Sequence, residues 1–151
     1  MTSFRQEVYE HVQHLLEQKI AAIQQHLDDL REGLKQETKS TAGDKYETGR
    51  AMIHIEQENT GRQLNTLLEQ RTALEQLREQ PAPGTAGPGS LVHTSKGYFF
   101  LSIALGKLEV AGHTVYALSP QSPLGSKLTG TAAGTEVVLN GNRYAILSTG
   151  S

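Results

Sequence analysis

The segment Leu16-Glu17-Gln18-Lys19-Ile20-Ala21-Ala22-Ile23-Gln24-Gln25-His26-Leu27-Asp28-Asp29-Leu30-Arg31-Glu32-Gly33-Leu34 decides the fold. Leu16, Ile20, Ile23, Leu27, Leu30 and Leu34 follow one another at spacings of 4, 3, 4, 3 and 4, the alternation of a coiled-coil seam. Such a seam needs a facing helix. Downstream, Ile53, Thr60, Leu67 and Leu74 recur at intervals of seven, and Leu64 and Leu77 broaden the stripe, which predicts a second helix. Between them, Thr38-Lys39-Ser40-Thr41-Ala42-Gly43-Asp44 interrupts the period with glycine and small hydroxyl residues, the composition of a turn. Two helices of about 30 residues folded back there make an antiparallel hairpin roughly 45 Å long at 1.5 Å rise per residue. Its polar surface predicts a projecting arm.

Outside the hairpin the composition changes. Of 151 residues, Met1 to Gln80 carry 10 basic and 14 acidic side chains, net -4, whereas Pro81 to Ser151 carry 4 and 2, net +2. The second part also holds all five prolines and 11 of the 15 glycines. The expected organisation is a coiled-coil hairpin arm over 1–80 with its tip near 40–48, a mobile Pro/Gly linker over 81–89, and a small domain over 90–151. With a net charge of -2 the chain has no overall cationic field, so general or sequence-specific DNA binding is not expected. The absence of cysteine excludes disulfides, thiolate metal sites and cysteine nucleophiles. Neither an apolar signal core nor a membrane-spanning run is present, so a cytoplasmic protein without a membrane partner is expected.

The second domain reads as short strands: Leu91–His93, Tyr98–Ala104, Lys107–Val110, Thr114–Leu118, Thr135–Leu139 and Arg143–Leu147 are β-branched or aromatic runs separated by turn residues. Asn140-Gly141 is a strong hairpin signal and Ala111-Gly112 marks a second, which predicts an antiparallel sheet. Ser122-Pro123 has the form of an N-cap followed by proline at the first helical position and predicts one short helix through Leu128. The expected fold class is therefore α+β.

Chemistry is concentrated at the hairpin tip, Gly43-Asp44-Lys45-Tyr46-Glu47-Thr48-Gly49-Arg50. Asp44 and Glu47, three apart at the start of a helix, share one face. Hard carboxylate oxygens suit Mg²⁺, but two of them hold it only weakly, so the pair would act by completing a metal site that another molecule half provides. The same spacing is an acidic form of the capping box. Tyr46 is placed either to stack on a base or to fold against the hairpin end. Lys35, Lys39, Lys45 and Arg50 form a sparse basic group that either steers RNA phosphate or is simply solvated. His11 and His14, three apart on the first helix, are a weaker metal candidate with no third ligand in the pattern.

Two stretches resemble the Gre-type transcript cleavage factors of bacteria, the GreA/GreB family of transcription elongation factors. Leu118-Ser119-Pro120-Gln121-Ser122-Pro123-Leu124-Gly125-Ser126-Lys127-Leu128-Thr129-Gly130, with Gly134-Thr135-Glu136-Val137, is similar to that family's C-terminal signature, although Gly134-Thr135 stands where Gly-Asp is usual. Ala42-Gly43-Asp44-Lys45-Tyr46-Glu47 is similar to its acidic tip. The resemblance implies an FKBP-like C-terminal domain that binds RNA polymerase at the secondary channel, and a monomeric coiled coil that reaches the active centre. It implies further that Asp44 and Glu47 share a Mg²⁺ with RNA polymerase and stimulate cleavage of backtracked RNA; by their own chemistry Lys45, Tyr46 and Arg50 are the candidate contacts to the nascent RNA near its 3′ end. No cofactor would be bound tightly by the factor alone, and it would not be a stand-alone enzyme. Thr48-Gly49-Arg50-Ala51 replaces the family's usual Asn-Ala-Glu-Tyr, which suggests a second reading, a non-cleaving secondary-channel regulator. A third is a coiled-coil scaffold or chaperone-like module in which the acidic pair is only a cap.

Overall fold

Ser3 starts the first helix: its hydroxyl accepts from the backbone N–H of Gln6 at 3.1 Å, satisfying one of the donors that a helix N-terminus leaves unpaired. The computed structural model describes residues 3–39, 43–79, 81 and 84–149, and the side chains of these except 36–39 and 43–48. Helix α1 spans Phe4–Lys39 and α2 spans Gly43–Glu75. Of the predicted turn, residues 40–42 lie outside the described residues. None of the described helices is long and apolar enough to cross a membrane.

The chain forms two compact units, Leu16–Gln70 on the one hand and Met1–Leu15 with Arg71–Ser151 on the other. Packing thus divides the chain within the helices, not at the linker over 81–89 expected from composition.

In the first unit the predicted seam is formed. Leu16, Ile20 and Thr60 are buried, and Ile23, Leu27, Leu30, Leu34, Ile53, Leu64 and Leu67 are half-buried. His26 Nε2 meets Glu56 Oε1 at 3.2 Å, and a Cβ built on Gly33 would lie 3.7 Å from Ile53 Cδ1. Partners descend along α2 as they ascend along α1, so the two long helices pack antiparallel.

The second unit is built on strands β1 (Leu91–Thr94), β2 (Gly97–Leu101), β3 (Gly106–Val110), β4 (His113–Leu118), β5 (Glu136–Leu139) and β6 (Asn142–Ser148), with α3 (Pro123–Leu128) after β4. Their order in the sheet is β3-β4-β2-β1-β6-β5. The expected purely antiparallel sheet is corrected here. β2 and β4 run parallel, with Tyr98 opposite Val115 and Leu101 opposite Leu118, so the sheet is mixed. The turn at Ala111-Gly112 pairs β3 with β4 as predicted, but the hairpin as a whole is laid beside β2 with β3 outermost. Local turn chemistry carries no information about that placement. The strand predicted to reach Ala104 ends at Leu101, where Ser102 and Ile103 turn a buried corner and Ser102 N–H donates to Leu118 O at 2.8 Å.

Both tight turns have two successive residues with positive φ, Ala111 at 51° with Gly112 at 81°, and Asn140 at 52° with Gly141 at 80°. This is the geometry whose twist matches that of paired strands. Helix α3 starts as predicted, with Ser122 Oγ accepting from Gly125 N–H at 3.1 Å and proline in the first turn.

Alternate strand residues feed two layers. On one side Val92, Phe99, Leu101, Val137 and Ile146 pack with Leu128 of α3 and with Ala86. The strand register places Leu91, Phe100, Val115 and Ala117 on the other side. There the first turns of α1 cover them: Tyr9 meets Phe100 edge-on with centroids 6.5 Å apart, and Phe4 meets Tyr98 at 4.8 Å. The described part of the expected mobile linker is woven into this unit. Ala86 N–H donates to Thr131 O at 2.8 Å, Gly130 N–H donates to Ala86 O at 2.7 Å, and Gly89 N–H donates to Leu101 O at 2.6 Å. Residues 82 and 83 lie outside the described residues.

Candidate functional sites at the helix turn and the base of the hairpin

Because α2 opens at Gly43, Asp44 and Glu47 are its second and fifth residues: position 44 lies in the first turn, where unpaired N–H groups and the helix dipole favour negative charge, and position 47 begins the next turn. The side chains of Asp44, Lys45, Tyr46 and Glu47, and that of Lys39, lie outside the described residues. The backbone nevertheless keeps positions 44 and 47 on one continuous helix, three apart. Arg50 is half-buried on the next turn, and Lys35, near the end of α1, meets Glu32 Oε1 at 3.4 Å. As a donor set, two carboxylates fit a hydrated Mg²⁺ only if further oxygens come from outside the chain.

The other sequence candidate acquires neighbours that the pattern did not show. His11 and His14 face Glu7, Glu10, Val110 and Ala111 around an open groove of about 440 Å³. Among the described residues no three His, Asp or Glu side chains are placed to hold one metal ion, so the histidine pair gains no third ligand. His93 and His113 belong instead to an aromatic group. His93 stacks on Tyr98 at 4.1 Å, and His113 meets Tyr98 at 5.4 Å and Phe4 at 5.2 Å.

Sequence reading missed Arg5. It is 1% exposed, and its guanidinium is directed at main-chain carbonyls. Nε donates to Gly89 O at 2.8 Å, Nη1 to Arg78 O at 3.1 Å, and Nη2 to Glu79 O at 3.1 Å and to Leu77 O. Its Cζ stands 5.8 Å from the ring centres of both Tyr9 and Phe100. Burial pushes the guanidinium pKa below its ordinary value, opposed by the charge interactions of Tyr9 and Glu79. One signal was present in the sequence. Extended backward from Leu16 through Val12 and Tyr9, the apolar stripe of α1 reaches position 5, where it meets an arginine.

No protein-family model matches the chain, and no curated protein matches it.

Proposed function

We propose that this protein is a Gre-type transcription elongation factor, cytoplasmic and monomeric, that binds RNA polymerase at the secondary channel and stimulates cleavage of backtracked RNA. The supporting observation is the antiparallel pairing of two long helices with α2 opening at Gly43, which puts the acidic positions 44 and 47 at the end where the chain reverses. The Ser122-capped α3 beside a small mixed sheet is compatible with the FKBP-like docking domain that the resemblance implies. Asp44 and Glu47 would hold a Mg²⁺ shared with the polymerase, and that ion would supply charge stabilisation at the scissile phosphate. The chain's own part is to carry two carboxylates to a centre it does not contain, so it has no turnover alone.

A backtracked complex of the cognate polymerase tests this reading. Added protein shortens the RNA from its 3′ end in Mg²⁺, whereas Asp44→Ala and Glu47→Ala bind the polymerase but lose about a hundredfold or more of the cleavage rate, as expected when a charge-stabilising group is removed. Absence of polymerase binding overturns the proposal. Binding by the wild type without shortening establishes the second reading, a non-cleaving regulator, which the basic Arg50 in place of the family's acidic residue favours.

A further inference from the structure

Arg5 joins three pieces of chain that are remote in sequence. It sits in the first turn of α1, and it bonds on one side to the carbonyls of residues 77–79, just past the end of α2, and on the other to Gly89, at the entry to β1. The last turn of α2 contains no basic residue of its own, so the cation that its C-terminal dipole favours is brought from α1. Leu77 N–H donates to Leu74 O at 2.9 Å in a tightened final turn, which leaves the following carbonyls for the guanidinium. Two aromatic rings flank it, and Gly89, at φ +89°, lets it approach: a Cβ there would stand 3.4 Å from Nη2 and 3.6 Å from Leu77. A planar fork with five donors can span four carbonyls, whereas a lysine ammonium acts from a single point.

We propose that Arg5 is a positioning residue: it clasps the end of α2 to the segment entering β1, and so removes angular slack at the base of the helix that carries positions 44 and 47. This rests on the function proposed above. A helix of 33 residues is roughly 50 Å long. About 5° of slack at one end therefore moves the other by about 4 Å, enough to misplace a catalytic oxygen.

The absence of cysteine makes a direct test clean, because spin labels can be placed at Ala73→Cys and Lys127→Cys, both exposed and both in the unit that contains Arg5. With Arg5 present the label–label distance distribution is narrow. Arg5→Gln broadens it, and hydrogen exchange at residues 84–89 speeds by about tenfold or more while the helical signal is retained. In the backtracked-RNA assay Arg5→Gln lowers the maximal cleavage rate by about tenfold or more, with the half-saturating protein concentration little changed. Should Arg5→Gln fail to fold, Arg5→Lys, which keeps the charge and the stem, gives the same broadening and rate loss. An unchanged distance distribution in the folded variant overturns the clasp, and a broadened one with an undiminished cleavage rate overturns the positioning role. If the wild type itself gives no cleavage, the proposed function fails while the distance measurement still decides the clasp.

Discussion

Gly125 shows how one residue ties a motif to its geometry. The backbone brings Ser119 so close that a Cβ at position 125 would collide with its carbonyl oxygen, and it would also lie 2.8 Å from Ser122 Oγ. That carbonyl accepts from Ser122 Oγ, which itself accepts from Gly125 N–H, so the cap and the missing side chain are one arrangement. A clash with main chain cannot be relieved by turning a rotamer. Gly125→Ala is therefore expected to destabilise the sheet unit by about 1–3 kcal/mol, the range for overpacking a tight site. Thermal unfolding followed by tyrosine near-ultraviolet circular dichroism measures it. In the sequence this glycine was legible only as part of a resemblance, because nothing in its neighbours announces that Ser119 folds back onto it. Arg5 was hidden for a related reason, since its partners are 72 to 84 positions away.

Among the elements, the helices were the most legible, since a period of 3.5 repeated across two segments leaves little freedom in which faces meet. The Asn140-Gly141 turn and the Ser122 cap were equally visible, each decided within four residues. Strand neighbours were not. β2 lies beside β4 in parallel register through side chains such as Phe99 and Tyr116, whose rings stack at 5.2 Å, and no local pattern encodes that choice. The acidic pair was legible as spacing alone; what it contributes depends on atoms outside the chain. A tie between α1 and α2 tests the packing. Tyr9 is 2% exposed and its hydroxyl donates to Leu74 O at 2.9 Å, near the C-terminal end of α2. Tyr9→Phe removes one of the two donors to that carbonyl, which still accepts from Leu77 N–H, at a cost of about 0.5–1.5 kcal/mol. Urea denaturation should show a lower midpoint with an unchanged slope.

At the scale of the whole molecule, the important point is that the sheet has two sides and the residues after 84 cover only one of them. Leu91, Phe100 and Val115 are completely buried, and the rings of Phe4 and Tyr9 belong to that cover. Burial is worth about 1.5–3 kcal/mol for each large apolar side chain, so losing the cover removes an amount comparable to the 5–15 kcal/mol by which a typical domain is stable. A fragment spanning residues 84–151 should accordingly lack a cooperative thermal transition and should bind an apolar fluorescent dye, whereas the whole chain does neither. Composition pointed to a self-sufficient domain beginning near residue 90. The three turns of α1 that complete it were read as the start of an arm, because their apolar residues continue the same stripe.

That shared stripe also sets a clock. Val8, Tyr9 and Val12 leave the ribosome roughly a hundred residues before β4 does, and at about 5–20 residues per second the wait is on the order of ten seconds. Until the strands are made, the first turns of newly made α1 display greasy surface without the sheet face that covers it in the folded chain. A nascent chain stalled between α2 and β4 would thus stay sticky for as long as the stall lasts, and the cell's holding chaperones would have a recognisable target near its beginning.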